Sequence, residues 1–231
     1  MLSYKDVFTV TTFHRYRSFA HEHSYCGPFI PYVGEKYGSG LLPKFAYCGV
    51  AAAWPNHKLE AAENYHFKAD WANDVVLQRR VNSAFWRLCW DTLELLDTDA
   101  RFSPEERLQH MAWTNLSKLG SAKQTAPPDN DIALREMDAA QLRHEIEVLA
   151  PDLLLCVSGS RLRATAAAVF GKLEAGDLTP MIEPTHVTRL PSGGLLYRTM
   201  HPQYKTKQWQ RVVRSDLKTI MGELIRSGRC C

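Results

Sequence analysis

The stretch ALREMDAAQLRHEIEVLAPDLLLCVSG, residues 133–159, decides the fold class. Leu142, Ile146 and Leu149 recur at helical spacing, which predicts a helix with one apolar face. Pro151 stops that helix, because it lacks a backbone donor and its ring clashes with the preceding turn. DLLLCVSG (152–159) follows as a short apolar run closed by a glycine. It lacks period-2 alternation, as expected of a strand covered on both faces. Helix, proline, aspartate, apolar strand and glycine in this order form the αβ unit of a parallel sheet.

Upstream, KFAYCGVAAAW (44–54) predicts another buried strand, Lys44 to Cys48, breaking at Gly49. From about Asn73 to Leu96 the pattern turns helical, with Val76, Ala84, Leu88 and Leu95 on an apolar stripe widened by Trp86 and Trp90. Ser103-Pro104-Glu105-Glu106 is a helix start, a serine cap followed by proline at the first helical position. HMAWTNLSKLG (110–120) then holds a strand with Asn115 near its exit, and KQTAPPDND (123–131) is a loop.

Downstream, RLRATAAAVFG (161–171) predicts a short helix with Gly171 beyond its end. A Pro/Gly-rich stretch covers 176–194, and LLYRTMHPQY (195–204) is a final strand running into a His-Pro turn. The closing helix buries Trp209, Val212, Val213, Leu217, Ile220 and Leu224. Residues 1–25 are polar and aromatic, and GPFIPYVGEKYGSG (27–40) reads as an irregular entry loop. No internal repeat interrupts this alternation. It predicts one doubly wound α/β domain over 1–231, with residues 1–27 as an extension packed on or near it.

Composition narrows the class. With 231 residues, 45% hydrophobic and 23% charged, the chain has the make-up of a globular domain. Its net charge of +3, from 28 basic and 25 acidic residues, does not by itself imply a nucleic-acid partner. A local patch would have to supply the attraction. No apolar run approaches the ~18 residues of a membrane span, and MLSYKDVFTV lacks the basic head and apolar core of a secretory leader. Neither CxxC nor HExxH occurs among the residues. The cysteines are Cys26, Cys48, Cys89, Cys156, Cys230 and Cys231. Those at 48, 89 and 156 lie in apolar segments and read as buried thiols. A reducing compartment is expected, cytoplasmic, or nuclear in a eukaryote.

Strand exits carry the polar candidates, and in such folds ligands sit at the carboxyl ends of strands. Gly49 either packs a tight turn or opens a loop to ligand. Trp54 is either core or a stacking surface for a planar group. Asn115 either holds a loop backbone or presents its amide to a base edge. His201 either caps its turn or donates to an oxygen that gains negative charge. Lys205, Lys207 and Arg211, close to Tyr204, form either a solvated surface or a phosphate-binding one. GxxxxGK, GxGxxG and GxSxG are absent from the sequence. No metal or cofactor site is therefore expected.

Five segments together resemble the uracil-DNA glycosylase superfamily, in a divergent branch: PYVGEKYG (31–38), KFAYCGVAAAW (44–54), WTNLSKLG (113–120), LRHEIEVLAPDLLLCVSG (142–159) and LYRTMHPQY (196–204). The resemblance implies a three-layer αβα fold around a central four-stranded parallel sheet. It implies cleavage of the N-glycosidic bond of a damaged base such as uracil in DNA, without a cofactor. Asn115 corresponds to the asparagine that reads the uracil edge in some branches, and His201 to the histidine of the family's His-Pro-Ser motif. Gln203 stands here in the serine position. The first family motif carries an acidic or amide residue that handles water, and GVAAAW has alanines there. Glu35 is the acid nominated in its place, with Trp54 or Tyr37 as the stacking aromatic. The alternative is an inactive scaffold that binds a nucleobase, a nucleotide or nucleic acid.

Overall fold

The computed structural model describes residues 1–51, 64–77, 83–121, 127–158, 161–171, 186–203 and 205–228. The chain opens with helices α1 (Tyr4–Val7) and α2 (Val10–His23), then short strands β1 (Tyr25–Cys26) and β2 (Tyr32–Val33). Strand β3 (Phe45–Gly49) leads to helices α3 (Tyr65–Leu77), α4 (Ala84–Leu96) and α5 (Pro104–Leu108). Strands β4 (Met111–Asn115) and β5 (Gly120–Ser121) follow, then α6 (Ile132–Leu149) and β6 (Leu153–Cys156). The remainder is α7 (Arg163–Phe170), β7 (His186–Arg189), β8 (Leu195–Arg198) and α8 (Lys207–Arg226).

The main sheet has the order β2-β4-β3-β6-β8-β7. Its four inner strands run parallel, with Tyr47 level with Trp113 on one side and with Leu155 on the other. β2 and β7 close the edges antiparallel. The sheet is thus six strands wide where the resemblance implies four. β7 lies inside the Pro/Gly-rich stretch and β2 inside the expected entry loop, both too short for a periodic signal.

Successive side chains of a strand point to opposite faces, and the core divides accordingly. Tyr47, Trp113, Leu155 and Tyr197 pack with α4 and α8 through Trp86, Leu93, Val213 and Leu217. Cys48, Ala112, Leu154 and Leu196 pack on the other face with α6 and α7 through Leu142, Ile146 and Ala166. Every inner strand is buried along its length. Among the described residues no helix is long and apolar enough to cross a membrane.

Local chemistry sets the helix ends. Asp131 caps α6, its carboxylate accepting from the Leu134 N–H, and Ala150 turns left-handed before Pro151. Ser103 and Glu106 form the reciprocal capping box of α5. The helical pattern of 73–96 is in fact two helices, because Ser83 caps α4 by accepting from the Trp86 N–H. Position 212 also differs: Val212 is 41% exposed, since the buried face of α8 follows Trp209, Val213, Leu217, Ile220 and Leu224.

Residues 1–27 are built into the body. Phe8, Phe13, Tyr16 and Ala20 cluster with Ile30, Tyr65, Leu119 and Leu134. The Tyr16 hydroxyl donates to Asp138 at 2.9 Å, and the Gln141 amide donates to the Val7 carbonyl at 2.7 Å.

A buried ion pair ties the β4 exit to α6. Lys118 Nζ donates to Glu145 Oε2 at 2.9 Å, to Thr114 Oγ1 at 2.7 Å and to the Asn115 carbonyl at 2.7 Å. Both charged side chains are fully buried. Gln141 donates to the second Glu145 oxygen at 3.0 Å. Lys118 therefore uses all three of its donors, which makes a buried charge tolerable. Lys118→Met leaves Glu145 unpaired in the core and should lower unfolding free energy by about 3–5 kcal/mol. Lys118→Met/Glu145→Leu should recover part of that loss. Urea titration of the three proteins checks both expectations.

Candidate functional site

The order of the parallel strands creates one crevice. From β3 the chain crosses to β4 on one side, and from β6 to β8 on the other. The carboxyl ends of β3 and β6 therefore flank the point where connections diverge, the usual ligand position in open α/β sheets. Hydrogen bonding continues past the strand ends. Leu116 N–H donates to the Gly49 carbonyl, Val157 N–H to Cys48 and Thr199 N–H to Cys156. Asn115, Gly49, Val157 and Thr199 thus form one row across the rim of the sheet.

Gly49 makes the crevice possible. A β-carbon there would lie 2.4 Å from Asn115 Oδ1 and 3.2 Å from the Phe85 ring. The Asn115 amide and the Phe85 ring both close over the bare backbone of residue 49. Asn115 is 2% exposed, and its Nδ2 has no hydrogen-bond partner among the described residues. The Thr199 hydroxyl, on a residue 3% exposed, is likewise unpartnered. A buried polar group without a partner costs about 1–3 kcal/mol, which sets these two apart from the rest of the rim.

Phe85 joins Asn115 to His201. Its ring lies parallel to the imidazole, 18° between planes and 5.8 Å between centroids. The Tyr47 ring packs against the Phe85 ring, centroids 4.5 Å apart, and its hydroxyl donates to the Phe85 carbonyl at 2.8 Å. The aromatic of this site is therefore the second residue of α4, placed by the Ser83 cap. A single unbroken helix over 73–96 conceals it; the cap residue Ser83 just ahead of Phe85 is the signal that reveals it.

His201 is held neutral. Burial, together with the positive charges of Arg161 and Lys205, pushes its pKa down to about 4. The Gln203 backbone N–H donates to Nδ1 at 3.3 Å. Nδ1 is thereby the acceptor, and the proton of the neutral ring sits on Nε2, available as a donor. The His-Pro-Gln turn sets this tautomer through its own backbone.

Other predicted residues lie elsewhere. Glu35 is exposed at the opposite end of the sheet: its N–H donates to the Gln109 side chain at 3.3 Å, and Gly34 bonds to Met111, the first residue of β4. The four residue steps from Met111 to Asn115 put roughly 13 Å of strand between that end and the crevice. β2 runs antiparallel to β4, so the sequence that follows it leaves at the wrong rim. Tyr37 is at that rim too, buried, with its hydroxyl donating to the Leu149 carbonyl at 3.2 Å. It is a core residue here. Trp54 and Tyr204 fall outside the described residues. Lys205 adjoins His201, while Lys207 and Arg211 project from the first turns of α8.

Among the described residues no group of three or more histidine, cysteine or acidic side chains is placed to hold a metal ion. The chain matches no protein-family model and no curated protein sequence.

Two expectations follow. Gly49→Ala forces the Asn115 amide aside; overpacking of this kind costs about 1–3 kcal/mol. Its side-chain amide resonances should move while those of the opposite rim stay fixed. The His201 imidazole should titrate near pH 4 by NMR. An unfolded histidine takes up its proton near pH 6.5, so between these values the unfolded state binds more protons. This residue's contribution to stability accordingly declines as pH falls from about 6.5 towards 4. His201→Gln should flatten that part of the stability profile.

Proposed function

We propose that this protein handles a nucleobase extruded from DNA and cleaves its N-glycosidic bond, uracil being the type of base concerned. One observation carries the reading. A buried, unpartnered amide and a neutral histidine lie at the switch point of the sheet, the histidine stacked on the Phe85 ring that closes over Gly49 beside the amide. An amide offers a donor and an acceptor side by side, the pattern that matches a base edge. Phe85, stacked with His201 and packed against Tyr47, fixes the imidazole beside the rim.

The chemistry places its demand on the leaving base. The bond between C1′ and the base nitrogen breaks, and its electron pair passes to the base, where a ring carbonyl oxygen becomes anionic. His201 Nε2–H donates to that oxygen. A neutral donor suits this task, because it stabilises the anion without handing over its proton. Water adds to the cationic sugar carbon and releases its proton to solvent. Extruding the base costs a few kcal/mol, less at a mismatch. Lys205, Lys207 and Arg211 attract the phosphates beside it.

A second reading keeps the crevice and drops the hydrolysis. It is favoured by the position of Glu35 at the far rim and by Ala51 beyond the strand that ends on Gly49. Neither supplies a group that orients water.

The decisive measurement is abasic-site formation in duplex and single-stranded oligonucleotides bearing uracil or hypoxanthine. For the enzyme, His201→Ala should lower the rate about 10²–10³-fold. Asn115→Ala should weaken discrimination against the normal base by about 1–3 kcal/mol. Absence of release together with base-dependent binding abolished by Asn115→Ala supports the non-hydrolytic reading. Neither release nor binding overturns both.

A further inference from the structure

Helices α4 and α8 both begin at the crevice rim and descend the same face of the sheet. Between them runs a groove with a volume of about 390 Å³. Pro202, next to His201, is among its lining residues. Arg87 on α4 and Lys207, Arg211 and Arg214 on α8 line it, with Asp91 the one carboxylate among the lining residues. Leu88, Leu95 and Leu217 form an apolar floor. Positions 207, 211 and 214 share one helical face, as do 84, 88, 91 and 95.

The charge of this groove is not balanced from within. Four cations face one acid, and that acid is raised by burial while Arg214 and Arg87 act on it from the two helices. Glu94, whose charge also reaches Asp91, is not among the lining residues. The first turns of α4 and α8 contain no acidic residue. Buried beside the cations, Trp209 Nε1 has no hydrogen-bond partner among the described residues. From Ala84 to Leu95 the groove is roughly 16 Å long at the rise of a helix. A free nucleoside carries no charge for such a channel. A strand of phosphodiesters carries a row of them, with apolar sugar surface between.

We propose that the α4–α8 groove carries the backbone of a single nucleic-acid strand leading into the crevice. The substrate is therefore a polymer and not a free nucleoside. This deepens the function proposed above and rests on it only for what the crevice does with the base at the end of the strand. Lys207 and Arg211 are one wall of a channel whose other wall is Arg87, and Arg214 lies deeper along it.

The test is fluorescence anisotropy of the whole chain with a labelled, lesion-free single-stranded oligonucleotide over a range of salt. Each phosphate neutralised contributes a slope of about −0.7 in log affinity against log salt. Charge reversal at Arg87, Arg211 or Arg214 should weaken binding about tenfold or more and reduce the slope by about 0.7 each. Arg226→Glu makes the same charge change at the far end of α8 and should have no effect. The proposal falls if the groove variants bind like Arg226→Glu, or if the oligonucleotide does not bind. It falls also if polyglutamate of equal length competes as well as the oligonucleotide, which would make the groove a site for acidic protein. Base release is read separately. Release unaffected by the reversals overturns the groove and leaves the crevice. Groove-dependent binding without release does the reverse. Thermal melting of each variant verifies the fold.

Discussion

A β-carbon on residue 49 would stand 2.4 Å from the Asn115 amide oxygen, and the architecture of the crevice depends on its absence. Because the third strand ends on glycine, its neighbours lean inward over bare backbone. The Asn115 amide comes from β4 and the Phe85 ring from the start of α4, and His201 stacks on that ring from the β8 exit. Three segments far apart in the chain converge because one position contributes no volume. Interiors pack at near-crystalline density, so a single methyl group here would decide whether they meet.

The polar side of the crevice is anchored from behind. Lys118 holds the Asn115 carbonyl while paired to Glu145 on α6. The rim residue is thus fixed through its backbone, leaving its side chain unsatisfied. Removing two charges from water is costly, and a buried pair is weak evidence for net stability. Its geometric effect is plain: the loop after β4 has one position relative to the helix beneath it. The neighbouring Asp138, which accepts from Tyr16 and from the Lys118 N–H, extends the same network to the N-terminal helices.

Electrostatics at the rim point one way. Burial, reinforced by Arg161 and Lys205, keeps His201 unprotonated, and positive charge continues down the groove between α4 and α8. A neutral histidine in cationic surroundings donates a hydrogen bond without adding to the local charge, whereas the surrounding lysine and arginines attract anions. The mild overall charge of +3 conceals this, since acids elsewhere on the surface offset it.

Much of the fold was legible from residues 133–159 alone, because a helix stopped by Pro151 and a run of apolar residues admit few arrangements. The placement of Gly49, Asn115 and His201 at strand exits was legible too, since parallel strands bring their carboxyl ends to one rim. Phe85 was not, because the pattern over 73–96 shows one apolar stripe and only the Ser83 cap marks the break. Glu35 looked near in sequence to the first inner strand, yet β2 runs antiparallel and delivers it to the other rim. By itself the sequence determined which inner strands are buried and roughly where they stop, because periodicity, prolines and glycines act locally. Which side chains share the crevice, which tautomer His201 adopts and which cations face one another were decided by the tertiary structure alone, because those depend on strand order and helix packing between residues far apart in the chain.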